Sequence, residues 1–193
     1  MSSLAVPIGP RRQLSGRNQD TVDRLLDAAV AAVADVGYDA LTVRTVARAA
    51  GVSAATAYTY FASKEHLLAA EFWRRIEALP PVVHQQRHTV ATRVRRAVEP
   101  VALLVADEPD LAGGVTTALL AHDPDVQVLR ARIGDVMGQR VRDALGEDAP
   151  PEVLAGMTMA FAGALLTAGL GVLGYRDLAG VLGAFASRLE RTP

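Results

Sequence analysis

Between Thr42 and Lys64 this 193-residue chain gathers hydroxyls and cations at close spacing. Thr42, Ser53, Thr56, Tyr58 and Tyr60 can each donate a hydrogen bond to an anionic oxygen, and Arg44 and Lys64 add charge to such a bond. Ala54 and Ala55 offer only methyl groups, small enough to let another surface approach closely. This set suits contact with phosphate oxygens and base edges. Bond-making chemistry has no comparable set. No Gly-rich phosphate loop, nucleophile elbow or carboxylate pair in an apolar setting is present, so no catalytic residue and no cofactor is expected. One alternative remains in His84 and His88, four apart and able to grip a metal from one helix face, as in a metal-dependent enzyme. A third ligand is missing, and no Glu lies between them.

Positioning those groups requires short, steeply crossed helices. Val22, Leu25, Leu26, Ala29, Val33 and Val36 form a 3.6-residue stripe over 20–36 that stops at Gly37. Thr42 sits where an N-cap belongs, ahead of Val43, Val46, Ala47 and Ala50, and Gly51 ends that helix after two turns. Ser53 caps a third helix over 54–60. Ser63 caps a fourth that runs from Lys64 to Pro80-Pro81. Two helices this short, joined by a tight turn, must cross where side chains are small, and Ala47 and Ala57 with Val52 meet that need. The arrangement is a helix-turn-helix, with Ala54, Ala55, Thr56 and Tyr58 outward on its second helix. Lys64, at the start of the fourth helix, would join its ammonium to the free amides there as one anion site.

Composition narrows the fold class. Half of the residues are hydrophobic and 35 are alanine, against nine aromatics, which favours an all-α protein with a substantial core. Without cysteine there is no disulfide, thiol catalysis or cysteine-ligated metal, which accords with a cytoplasmic protein. The net charge is −1, but residues 1–75 carry nine Lys/Arg against seven Asp/Glu. Residues 1–17 hold Arg11, Arg12 and Arg17 and no acid, so they read as a flexible basic arm able to touch a phosphate backbone. No apolar signal core precedes the first helix.

In the second half the punctuation suggests helices over 84–105, kinked at Pro100, then 109–121, 124–145, 152–173 and 175–191. That makes about nine in all. Residues 153–175 hold no charge and are long enough to span a bilayer, yet they carry five glycines and lack a flanking basic cluster. The expectation is therefore a helix buried at a subunit interface, with no membrane partner. Ala160, Gly163 and Ala164 would allow close approach, and Leu178, Val181, Leu182 and Phe185 would add an apolar stripe; paired with a second copy they make a four-helix interface. Val101, Leu104, Leu119, Leu120, Met137, Met157 and Phe161 could line an adaptable cavity for a small apolar or aromatic ligand.

Residues 20–72 resemble the DNA-binding domain of the tetracycline-repressor (TetR) family of bacterial regulators. The resemblance lies in Gly37-Tyr38-Asp39-Ala40-Leu41-Thr42-Val43, in Val46-Ala47 with Ala50-Gly51-Val52-Ser53, and in Thr56-Ala57-Tyr58-Thr59-Tyr60-Phe61 followed by Ser63-Lys64-Glu65-His66-Leu67-Leu68. It implies an all-helical homodimer that binds a palindromic operator, usually as a repressor, and is released by a small effector. By the family pattern Thr42, Arg44, Ser53, Thr56, Tyr58, Tyr60 and Lys64 would touch the operator. Many relatives carry a basic residue and then glycine where this chain has Ala54-Ala55, so here only methyl groups face a thymine methyl. The implied organisation is an arm over 1–17, a helix-turn-helix domain over 18–64, a connecting helix over 65–80 and an effector-binding and dimerisation domain over 81–193. A regulator that senses a protein partner in place of a small molecule fits the same residues.

Overall fold

The computed structural model describes residues 16–83 and 87–189, and among these it holds nine helices and no strand. In order they are α1 (Gly16–Ala40), α2 (Val43–Ala49), α3 (Ala54–Tyr60), α4 (Lys64–Glu77), α5 (Val90–Leu103), α6 (Pro109–Leu120), α7 (Pro124–Leu145), α8 (Pro151–Gly169) and α9 (Tyr175–Leu189). The all-α class read from composition is the class observed. Two compact units emerge. The first holds the described residues up to Arg74 with Asp110–Arg130, and the second holds Arg75–Pro109 with the described residues from Ala131 onward. The boundary thus falls inside α4 and α7, whereas the sequence placed it in the loop after residue 80.

In the first unit the stripe of α1 behaves as its spacing demands, with Val22, Leu25, Leu26, Ala29 and Val33 all buried. Val36 departs from it and is 44% exposed, because the helix breaks one residue later. Gly37 takes φ 73°, after which one more helical turn reaches Ala40. At its other end α1 begins at Gly16, inside the segment expected to be a flexible arm; Arg11 and Arg12 lie outside the described residues. Val43, Val46 and Ala47 of α2, Ala57 of α3 and Leu67, Leu68 and Phe72 of α4 complete the core, joined by Leu111 and Val115 of α6.

In the second unit α9 lies along α5 and against α8. The α5–α9 approach is close at Gly183. A Cβ there would stand 3.0 Å from the Ala91 carbonyl oxygen and 2.5 Å from Arg95 Cγ, so only glycine fits. Thr89 Oγ1 accepts the Thr92 amide at 3.3 Å and caps α5 at Val90, six residues later than the periodicity suggested. Pro100 stays within α5. Similarly, α8 ends at Gly169, short of the expected 173. Its last carbonyls are closed by Val172 N–H to Thr167 O at 3.0 Å and Gly171 N–H to Ala168 O at 2.9 Å, with Gly171 at φ 73°.

Candidate nucleic-acid interface

The pair α2 and α3 is built from local rules. Thr42 opens α2 with a reciprocal cap: its Oγ1 accepts the Thr45 amide at 3.1 Å, and Thr45 Oγ1 accepts the Thr42 amide at 3.1 Å. Gly51 closes the helix at φ 68°, a conformation that costs a side-chain-bearing residue about 1–2 kcal/mol. Val52 N–H then reaches Ala47 O at 3.0 Å and Gly51 N–H reaches Arg48 O at 3.2 Å, so both end carbonyls of α2 are satisfied within the turn. Ser53 starts α3 by accepting the Thr56 amide at 3.0 Å. The two helices touch through Ala47 and Ala57, 1% and 0% exposed.

This packing decides what faces outward. Ala55, Thr56 and Tyr58 of α3 are exposed, as are Thr42, Arg44 and Ser53, and Ala54 is half-buried. Tyr58 has no protein hydrogen-bond partner among the described residues, and neither has Arg44. Their donors are therefore available to an external acceptor. Other hydroxyls are engaged: that of Thr42 serves the cap, and those of Ser53 and Thr56 share a hydrogen bond at 2.8 Å. Arg48 was missed by the sequence reading. It is exposed, one turn beyond Arg44 on the same face of α2, and the i, i+4 spacing of two arginines was the available signal.

Two expected contacts are corrected. Tyr60 is 4% exposed and belongs to the core. It follows Ala57 by three residues, so on a helix it shares the inward face with Ala57 and Phe61, while Tyr58 points away. Lys64 is half-buried and already bonded: its Nζ donates to Tyr38 O at 2.7 Å and Asp39 O at 3.3 Å, and lies 4.1 Å from the centre of the Tyr38 ring. It ties the start of α4 to the turn before α2, and it does not stand as an open anion site. Beside it the Tyr38 hydroxyl donates to Glu65 Oε1 at 2.8 Å. Burial and then that bond to a carboxylate push the Tyr38 pKa up, so the phenol stays protonated.

Behind α3 lies a polar junction that no motif announced. Ser63 Oγ donates to Asp123 Oδ2 at 2.6 Å, while Asp123 Oδ1 accepts the amides of Asp125 at 2.8 Å and Val126 at 3.3 Å. Asp123 thus caps α7 and holds the α3–α4 turn with one carboxylate. Burial raises its pKa, but the Ser63 hydroxyl, the two amides and the His66 ring outweigh this and hold it below the usual 3.8. His66, 1% exposed, sets its ring edge-on to Phe61 and places Nδ1 3.8 Å from Asp125 Oδ2.

Elsewhere the expected sites are redistributed. Val101, Met137, Met157 and Phe161 are buried in the core of the second unit, and Leu104 is half-buried there. Leu119 and Leu120 belong to the first unit, where Leu120 at the end of α6 is 56% exposed. Leu178 and Leu182, at 0% and 3% exposed, face α5 and α8 and are core as well. The other half of the α9 stripe, Val181 at 50% and Phe185 at 45%, stays outward. Ala160 and Ala164 are half-buried, and Gly163 is exposed with open space above it. His84 lies outside the described residues, and among these no group of three metal-ligating side chains occurs.

Comparison with known proteins agrees with this geometry. Residues 25–70 match the family described as bacterial regulatory proteins, tetR family. An HTH-type transcriptional regulator of Mycobacterium tuberculosis is 41% identical over 169 residues, covering 86% of this chain and 79% of its own length. The HTH-type transcriptional repressor KstR of Rhodococcus jostii is 26% identical over 77% of this chain and 70% of its own. A TetR transcriptional regulator from Rhodococcus sp. RHA1 has the same fold, with a TM-score of 0.71 at 18% identity, over 93% of this chain and 100% of that one. With α1, α2 and α3 forming the matched helix-turn-helix, the chain belongs to the TetR family of bacterial transcriptional regulators.

Proposed function

We propose that this regulator binds a palindromic operator as a homodimer, represses transcription there, and is released when its second unit takes up a small effector. The observation that carries the reading is the outward face of α3, where Tyr58 presents an unbonded hydroxyl beside short side chains that admit the helix to a major groove. Arg44 and Arg48 on α2 supply charge for the phosphate backbone, and the basic segment over 1–17 adds to it. Repression is favoured by the likeness to a repressor, KstR, over more than two thirds of both chains. The arrangement supports action by binding, with no catalysis, in the bacterial cytoplasm.

A dimer follows from α8 and α9. The apolar window of α8 is only 17% buried, although the helix is long and apolar enough to cross a membrane. Met159 and Leu166 of α8, Leu170 just after it, and Val181 and Phe185 of α9 stand open, an apolar face that a second copy would cover. Two-fold pairing would hold both α3 helices about 34–36 Å apart, one turn of DNA. Residues 18–64 would then read the operator, 65–80 would connect, and 81–193 would dimerise and sense.

The test is selection of bound fragments from random duplex DNA, followed by titration of the winner against competitor. The expected product is a palindrome bound by two chains, with affinity lost in Tyr58→Ala. Enrichment of no sequence above background would overturn the reading.

A further inference from the structure

Where the chain turns from α4 into α5, a cleft of about 160 Å³ is lined by Pro80, Pro81, Val82, Val83 and Pro100 on its apolar side and by His88, Arg93, Arg96 and Arg140 on its polar side. Among the described residues no carboxylate lines it. From this we infer that the cleft binds the anionic group of a small organic acid or phosphate ester, the effector of this regulator.

Arg140 is the buried cation of this cleft. It is 6% exposed, and its hydrogen bonds go to backbone carbonyls: Nε to Ala97 O at 2.8 Å and Nη1 to Pro80 O at 2.9 Å. Arg93 does likewise, with Nε to Ala144 O at 2.8 Å and Nη1 to His88 O at 2.7 Å. Arg96 Nη1 meets only the neutral acceptor Nδ1 of His88, at 3.2 Å. Carbonyls and an imidazole satisfy donors, but they do not neutralise charge. None of these three arginines has a carboxylate within ion-pair distance among the described residues. Buried cations are ordinarily paired, and Arg140 is one; with half-buried Arg93 and exposed Arg96 around the same hollow, it leaves positive charge that an anion would neutralise. Burial pushes the Arg140 pKa down, and the charge of Asp143 on the same helix offsets part of this.

The surroundings point the same way. Desolvation and then the charges of Arg96, Arg87 and Arg93 push the His88 pKa down, so the ring rests in a positive field. Pro80, Pro81 and Pro100 have no N–H to offer, so three of the five apolar lining residues form rigid walls without a backbone donor. Pro100 also removes the helical donor for the Arg96 carbonyl and crowds it. One residue further on, Arg140 takes the Ala97 carbonyl. Val82 and Arg93 are shared with a wider cleft of about 740 Å³ whose lining includes Arg142 but also Asp143, Glu147 and Asp148, so the anionic end belongs in the smaller hollow and the wider one gives room for an uncharged or cationic remainder. A small apolar or aromatic effector, as the sequence suggested, would on this inference also carry an anionic end. Its role as effector rests on the regulator reading above, whereas binding itself does not.

Titration calorimetry on the full chain at constant ionic strength tests this, with inorganic phosphate, acetate and octanoate as probes and octanol as the uncharged control. Saturable binding of at least one anion, one per chain, is expected, with none for octanol. Phosphate alone would assign a phosphate ester, and the carboxylates alone an organic acid. Arg96→Gln, exposed and bonded only to His88, should weaken the binding about tenfold with an unchanged melting temperature. Arg95→Gln removes a charge from the same helix but none from the cleft, and should bind as the parent does. No saturable heat from any anion, or equal binding by the Arg96→Gln and parent proteins, overturns the inference. Operator binding without probe is measured on the same samples. Its failure would sink the regulator reading and leave the anion result standing.

Discussion

Tyr58 carries more of the interface than its neighbours because its hydroxyl is the one on α3 that the protein leaves unbonded while exposing the ring, at 42%. Tyr58→Ala should lower operator affinity about tenfold or more in a gel-shift titration, with little change in melting temperature. Tyr58→Phe should lose the part due to the hydroxyl alone. Tyr60 shows the limit of reading such residues from sequence. Two tyrosines two positions apart look equivalent as hydroxyl donors, and only the crossing of α2 and α3 decides which turns inward. Lys64 and Asp123 escaped for a related reason, since their partners Tyr38, Asp39 and Ser63 lie 25 to 60 residues away in the chain. Asp123 also has a pH signature. Because its folded pKa lies below 3.8, its contribution to stability is complete above that value and is lost as pH falls through the lowered one. The cost of Asp123→Asn, followed by urea unfolding, should hold steady from neutral pH down to about pH 4 and vanish in stronger acid.

At the scale of elements, local chemistry explains most of the helices. Thr42, Ser53 and Thr89 cap the helices they precede, and Gly51 ends α2, all through contacts within six residues. Such signals are legible because both partners are adjacent in sequence. Replacing Gly51 by alanine should cost about 1–2 kcal/mol in denaturant unfolding, through the left-handed turn alone, since a Cβ there meets open space. By the same logic Gly183→Ala should destabilise the second unit for a different cause, the displacement of the Arg95 side chain, whose Cγ would lie 2.5 Å from the new Cβ, and should leave α2 and α3 untouched. Apolar stripes proved harder to assign. Leu178 and Val181 share one stripe of α9, yet one is core and the other open, because period tells which residues share a face and not which neighbour covers it.

For the whole molecule, the open face of α8 and α9 sets the expected assembly. Phe185→Glu places a charge at its centre on α9 and should shift sedimentation from dimer to monomer, while the helical circular-dichroism signal stays that of the parent. A glutamate at Gly163 should do the same from α8, where open space would otherwise admit the partner helix. Sequence made the apolar character of α8 plain, but an uncharged helix reads alike as membrane span, core or subunit contact. The 17% burial in the folded chain sets α8 apart from an ordinary core helix, and the subunit contact proposed above is what would cover it.

The account stands most directly on how the protein occupies DNA. Hydroxyl-radical footprinting of the selected operator, with the parent and Phe185→Glu proteins side by side, measures this. The account predicts two protected half-sites whose centres lie about one helical turn apart, related by a dyad, with protection lost or reduced to weak single half-sites in the variant. A footprint over one half-site for the parent protein, or unaltered paired protection by a monomeric Phe185→Glu, would contradict it.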